Sequence, residues 1–414
     1  MLIAIYIFVF MTFVYAMNLK INANHLFKIG LLFRIIFLFS IPFLSQDFYR
    51  FIWDGRLIIS GINPYEFLPN QIIDTLVSFS QADILYQKMG DLSAAHYSNY
   101  PPFNQYIFAI TGLLSGKSIL GSAIVFRIII ILTDVSIYFY GRKILIHFNQ
   151  SPDKIFWYFL NPLVIIELTG NLHFEGVMLL FLILGFYFLI QNNWFLAAVF
   201  ISISISVKLL PLLLLPIFWR YLGWKKSIAF YFWIIILNLL YFIPFLTHSL
   251  VSNYLETITL WFTNFEFNAS IYYLVREIGF YFKGYNIIGT VGKITPIITI
   301  LIVLFYAFFK KNESVQKVIT HSLIALTIYF FISTTVHPWY VINLVLLSVF
   351  TKYKFPIVWS ATIILSYYAY GITPFKENMI LIFIEYLVVI IVFLFEINNK
   401  QFPYTSLIKS SNSR

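Results

Sequence analysis

The sequence contains no cysteine, and only 11% of its 414 residues are charged. The first absence excludes disulfides and thiolate metal sites. The second excludes an ordinary soluble domain, in which about 25% of residues carry charge. No long polar stretch separates the apolar runs, so 1–414 reads as one unit without an added soluble domain. A Walker-type glycine-rich phosphate loop is missing, so ATP is not implied. Acidic residues are the scarcer sign: 17 against 27 Lys and Arg, a formal net charge of +10. That excess suggests nucleic acid only until its distribution is read.

Hydrophobic residues make up 60% of the chain, aromatics 21%, and the mean hydropathy is +0.85. This composition predicts an all-α, polytopic integral membrane protein. Apolar stretches fall near 2–17, 29–44, 119–140, 155–170, 174–191, 194–207, 209–222, 226–245, 287–309, 317–335, 339–351, 355–371 and 379–397. That makes about thirteen spans, with 12–14 as the range; the shorter ones need tilt, neighbours or a thinned bilayer. The first stretch, "LIAIYIFVFMTFVYAM", has no basic flank or cleavage site and reads as a retained helix.

With the N-terminus outside and the C-terminus inside, the inside segments collect Lys20, Lys28, Arg142, Lys143, Lys154, Arg220, Lys225, Lys226, Lys310, Lys311, Lys317, Lys352, Lys354, Lys400, Lys409 and Arg414. Most carboxylates fall outside. The net charge therefore reads as orientation, and no nucleic-acid partner is expected. The segment 103–116 is too short for a span and reads as re-entrant or interfacial. It leaves a large first external loop, 45–117, and a second one, 247–286.

The first loop opens with "SQDFYRFIWDGRLIISGINPYEF". Read as a helix, it puts Asp47, Arg50 and Asp54 on one face, i, i+3, i+7. The two carboxylates then stand about 10 Å apart, too far to share a proton or a metal. Divided roles are one reading. The other is Asp47 as an N-cap and Arg50–Asp54 as a local ion pair. Gly61, Asn63 and Pro64 turn the chain, and Tyr65 returns it to the interface, as architecture or as a substrate contact.

Further charges punctuate apolar sequence. "NPLVIIELTGNLHFEG" carries Glu167, His173 and Glu175 at a membrane exit, as a polar bridge or as part of a site. The two-residue spacing of His173 and Glu175 does not fit a helical metal pair, so a divalent metal is possible but not signalled. Lys208 interrupts "SISISVKLLPLLLLPIF" and either snorkels to headgroups or meets an anionic ligand. Arg276, in "NASIYYLVREIG", lies on a stretch that suits an interfacial helix. His337, in "TTVHPWYV", sits beside Trp339 and Tyr340, where it anchors a helix end or binds a phosphate or sugar.

The series D-x-x-R-F-x-W-D-G-R…G-I-N-P-Y, "YPPFNQ", "NPL…GNLHFEG", "VKLLPLLLLP", "FEFNASIYYL" and "HPWY" resembles the bacterial GT-C membrane glycosyltransferases over about 45–345. It looks most like the polyprenol-phosphate-mannose-dependent mannosyltransferases of the family 87 type, and distantly like the first mannosyltransferase of GPI anchor assembly. The resemblance implies inverting transfer of a hexose, favouring mannose, from a polyprenyl-phosphate donor to a hydroxyl of a glycolipid or cell-envelope glycan. It implies work at the outer face of a bacterial cytoplasmic membrane, with membrane lipid as surroundings. By the same resemblance Asp47 matches the catalytic base, and Lys208 matches the basic position near the donor phosphate. Asp54, Arg50, His337, Arg276, Glu175, His173 and Tyr65 make up the expected substrate-binding set. The closely spaced D-x-D of the GPI-type relatives is missing, and no cofactor is expected. The rival reading is a transporter or flippase of lipid-linked glycans. It is disfavoured because no repeat relates the two halves.

Overall fold

The computed structural model describes residues 1–371 and 375–398, so Lys400, Lys409 and Arg414 lie outside the described residues. Among the described residues the chain is all helical without a strand; an isolated bridge joins Phe267 to Thr335. Among the described residues, five helices are long and apolar enough to cross a membrane: Ile119–His147, Leu210–Phe245, Ile288–Phe308, Val315–Ile332 and Met379–Ile397. A sixth crossing would be the pair Pro162–Gly170 and Glu175–Ile190, which is bent by 113°. Leu2–Asn18, Trp194–Val207 and Pro338–Val349 are apolar but shorter. The expected thirteen is therefore not recovered as long helices, although this remains a membrane protein.

The 36-residue run Leu210–Phe245 is not one rod. Gly223 takes φ 71°, and the chain folds back there: the Tyr231 hydroxyl donates to the Leu215 carbonyl at 2.9 Å. In a continuous helix those residues would be about 24 Å apart. The two stretches 209–222 and 226–245 expected from sequence thus pack as a hairpin.

The stretch 29–44 does not form the expected span. Its helix, Ala23–Ile36, stops early. Ser40 and Pro42 break the pattern, and the Arg127 guanidinium takes the freed carbonyls of Leu38 and Ser40 at 3.0 and 2.9 Å. The stretch 155–170 is likewise broken. Pro162 starts a new turn capped by Asn161, whose side chain accepts from Leu163 N–H.

Segment 103–116 forms the helix Pro102–Ser115, which lies against Asp47–Ile59. Gly55 allows the close approach, since a Cβ there would collide with the Phe108 carbonyl. Leu250–Thr263 and Ile271–Lys283 form two further helices in the 247–286 region. The second carries its apolar side chains on one face, with Leu274, Ile278 and Phe282 exposed, as the interfacial pattern requires.

Candidate active site

A cavity of about 1480 Å³ collects residues from distant parts of the chain: Asp47, Tyr100, Glu175, Lys208, Trp261, His337, Tyr340 and Tyr370 all line it. Residues from both the 45–117 and 247–286 regions contribute to its wall. Several wall groups are polar atoms without partners among the described residues: Arg50 Nη2, Glu175 Oε2, Trp261 Nε1, His337 Nδ1 and Asn343 Oδ1. Buried polar groups normally find hydrogen bonds. So many unpaired groups around one space suit a polar ligand.

Asp47 is the first residue of the helix Asp47–Ile59, after Gln46. It is not the N-cap, and its carboxyl makes no hydrogen bond among the described residues. Ser45 Oγ instead accepts from the Asp47 N–H at 3.3 Å. The side chain is 39% exposed, but to the cavity rather than to open solvent. Enclosure pushes its pKa up to about 6; Lys208 pulls it down and Glu175 adds to the rise. A base must be ionised to accept a proton, so activity should be full above this value and fall as pH drops through about 6. A pH series of kcat/KM checks this, and a flat profile from pH 5 to 7 would contradict it.

Asp54 has the opposite environment. It is 0% exposed and absent from the cavity wall. Arg50 Nε donates to Oδ1 at 2.7 Å, while Ser98 and Gln105 donate to Oδ2 at 2.6 and 3.0 Å. Its expected substrate contact does not fit this placement: the helix Pro102–Ser115 covers it, and the local ion pair is what forms. Arg50 does reach the wall, though its Nη1 is spent on the carbonyls of Ser93 and His96. Tyr65 is also sealed at 0%, its hydroxyl donating to the Tyr100 carbonyl. This is the architectural alternative, and the substrate contact does not fit it.

The pair Glu175 and Lys208 is built by two helix ends. Glu175 begins Glu175–Ile190, where the positive end of the dipole favours a carboxylate. Lys208 follows Trp194–Val207, where the negative end favours a cation. Ser204 Oγ donates to the Met178 carbonyl at 2.7 Å and ties the two helices together. The Lys208 ammonium contacts Glu175 Oε1 and stays 23% exposed, so it is paired yet reachable from the cavity.

Arg127 supports the bend that precedes Glu175. Its Nε donates to the Thr169 carbonyl at 2.8 Å, beside its bonds to Leu38 and Ser40. A break inside a membrane frees carbonyls that need donors, and this guanidinium supplies them. His173 sits in the break, 1% exposed, with Nε2 3.8 Å from Asp47 Oδ2 and Nδ1 3.3 Å from Glu167 Oε2. It backs the cavity but does not line it. His337 lies on the wall and stacks on Trp339 with centroids 4.3 Å apart.

Arg276 does not reach the cavity wall. It bonds Glu266 at 2.6 Å and Glu277 at 3.1 Å, and its guanidinium lies over Tyr273. Burial works against the Glu266 carboxylate, but donors Tyr272, Asn286 and Arg276 outweigh it and hold the pKa below its usual value. A substrate contact by Arg276 does not fit; it clips the 264–286 segment together. Sequence reasoning missed Arg127, Trp261 and Tyr370, and took Tyr340 only as a neighbour of His337. For Arg127 a signal existed, a charge inside an apolar run. Among the described residues, no three His, Asp or Glu side chains come together to hold a metal ion.

Comparison with known proteins points one way. The family described as "Alpha-(1->6)-mannopyranosyltransferase, N-terminal domain" matches residues 1–223, a stretch that includes Asp47, His173, Glu175 and Lys208. Alpha-(1->6)-mannopyranosyltransferase A of Mycobacterium tuberculosis is 21% identical over 180 residues, 43% of this chain and 33% of that protein. The protein of the same name from Corynebacterium glutamicum is 20% identical over 180 residues, 43% of this chain and 35% of that protein. The match thus spans about a third of the length of these curated relatives.

Proposed function

Since the chain belongs to the alpha-(1->6)-mannopyranosyltransferase family, we propose that it transfers a mannosyl residue from a polyprenyl-phosphate donor to a hydroxyl of a glycan or glycolipid. The reaction inverts the anomeric centre and takes place at the outer face of the cytoplasmic membrane, with 45–117 and 247–286 as external loops. What carries this reading is that Asp47 and Lys208 line the same cavity of about 1480 Å³.

Asp47 takes the proton from the acceptor hydroxyl. The hydroxyl oxygen attacks the sugar carbon, and the bond from that carbon to the phosphate oxygen breaks. Lys208 stabilises the departing phosphate, which keeps the bonding electron pair. Arg50 and His337 face the same space and hold the polar parts of the substrates. The wall aromatics Trp261, Tyr340 and Tyr370 offer faces for sugar rings.

The test is transfer by the reconstituted protein from polyprenyl-phosphate mannose, radiolabelled in the sugar, to an octyl mannoside. An α-linked product from a β-linked donor supports inversion, and use of a nucleotide-sugar donor instead would overturn the donor class. In sealed vesicles, lipid-linked glycan that crosses unchanged would favour the flippase. Lys208→Met should raise the KM for donor about tenfold or more, because a charge-assisted bond to phosphate contributes about 1.5–3 kcal/mol. An unchanged KM would remove Lys208 from phosphate binding.

A further inference from the structure

The bend between Gly170 and Glu175 is an unusual piece of backbone. Ile165–Gly170 is a π-turn, and Leu172 takes φ 65°. Leucine is disfavoured there, and both features concentrate at functional sites. Together they deliver the imidazole of His173 to a point between two carboxylates. Nδ1 is 3.3 Å from Glu167 Oε2, and Nε2 is 3.8 Å from Asp47 Oδ2. The ring is also held by Trp339, with centroids 3.8 Å apart. Neither nitrogen makes a hydrogen bond among the described residues, so both are free to take one up.

Glu167 is itself fixed. Tyr367 donates to Oε1 at 2.5 Å and Asn171 to Oε2 at 3.0 Å. These two donors hold both carboxyl oxygens in place. Glu167 Oε2 beside Nδ1 suits a ring proton on that nitrogen, which leaves Nε2 as the nitrogen on the Asp47 side.

We propose that His173, backed by Glu167, is a positioning residue that receives the proton Asp47 takes from the acceptor. This rests on Asp47 being the base. As the acceptor oxygen bonds to the sugar carbon, its proton passes to Asp47. The carboxylic acid so formed donates to Nε2, and the separation closes to a hydrogen bond, as catalytic contacts do once substrate is bound. Passage of the proton gives an imidazolium between the Asp47 and Glu167 carboxylates. Asp47 returns to its ionised form, and the proton leaves with product. Asp47 is faced also by Lys208, Glu175, Tyr100, Tyr340 and Tyr370, and His173 by Lys208 and His337. Tyr370 and Glu175 also face Glu167, but the His173 ring is what places one nitrogen within 4 Å of each carboxyl.

The experiment measures kcat, donor KM and the pH profile of transfer for His173→Gln, Glu167→Gln and Asp47→Asn in the full-length protein. His173→Gln and Glu167→Gln should lower kcat about 100-fold and leave donor KM unchanged. Their acid limb should move, because the proton is then held by Asp47 alone and no longer shared with His173. Glu167→Gln keeps the shape that Tyr367 and Asn171 bind, so it reports even if the histidine variant folds poorly. Inactive Asp47→Asn beside variants of wild-type kcat and pH profile would overturn the proposal and leave the base in place. Lost activity with an unmoved acid limb would also overturn it, since a structural role gives that result. Active Asp47→Asn would remove the base itself.

Discussion

Asp47→Asn should lower transfer about 10²- to 10⁴-fold while the protein still folds and binds donor. The size follows from the role: a positioned base accounts for that range, and asparagine cannot accept the hydroxyl proton. The survival of the fold follows from the site. The Asp47 carboxyl makes no hydrogen bond among the described residues, and its side chain opens to the cavity. Enclosure also works against the ionised form, so removing the charge relieves an unfavourable placement. Asp54→Asn is the informative contrast. It disturbs an acceptor used by Arg50, Ser98 and Gln105, so it should reduce folded yield rather than kcat alone. Equal donor KM in wild type and Asp47→Asn, with kcat collapsed, is the expected pattern. Full activity in well-folded Asp47→Asn would end the assignment.

The contrast between the two aspartates marks where sequence reading stops. A helical arc correctly puts Asp47 and Asp54 on one helix, but it says nothing of what packs against each. The helix Pro102–Ser115 covers Asp54 through Gln105, and only Asp47 is left open. Lys208 was legible because one charge in a long apolar run needs a partner. The partner, Glu175, comes from another helix end 33 positions earlier. His173 was harder to read. A two-residue spacing from Glu175 has no meaning on a regular helix, whereas the backbone there includes a π-turn and a left-handed Leu172. The short spans mislead for a related reason. Hydropathy marks 29–44 as one stretch, but Arg127, from a distant helix, rewards the chain for leaving the helix at Phe37.

Asp134→Asn should destabilise the protein by about 3–5 kcal/mol, the cost of stranding one partner of a buried ion pair. Arg34 and Asp134 are both 0% exposed, with Nε 2.8 Å from Oδ2. Arg34 also donates to the carbonyls of Gly30 and Phe159, and its guanidinium lies over the Phe159 ring. Tyr158 donates to the other carboxylate oxygen at 2.9 Å. The cluster therefore joins Ala23–Ile36, Ile119–His147 and Phe156–Phe159 behind the bend that holds His173. Asparagine preserves the acceptor for Tyr158 but leaves the buried guanidinium without its countercharge. Arg34→Met added to Asp134→Asn removes the stranded charge and should restore most of the loss, since buried pairs are often replaceable by apolar groups. Unfolding midpoints of the single and double variants in detergent decide the matter. A double variant no more stable than Asp134→Asn would mean that packing, and not an unpaired charge, sets the cost.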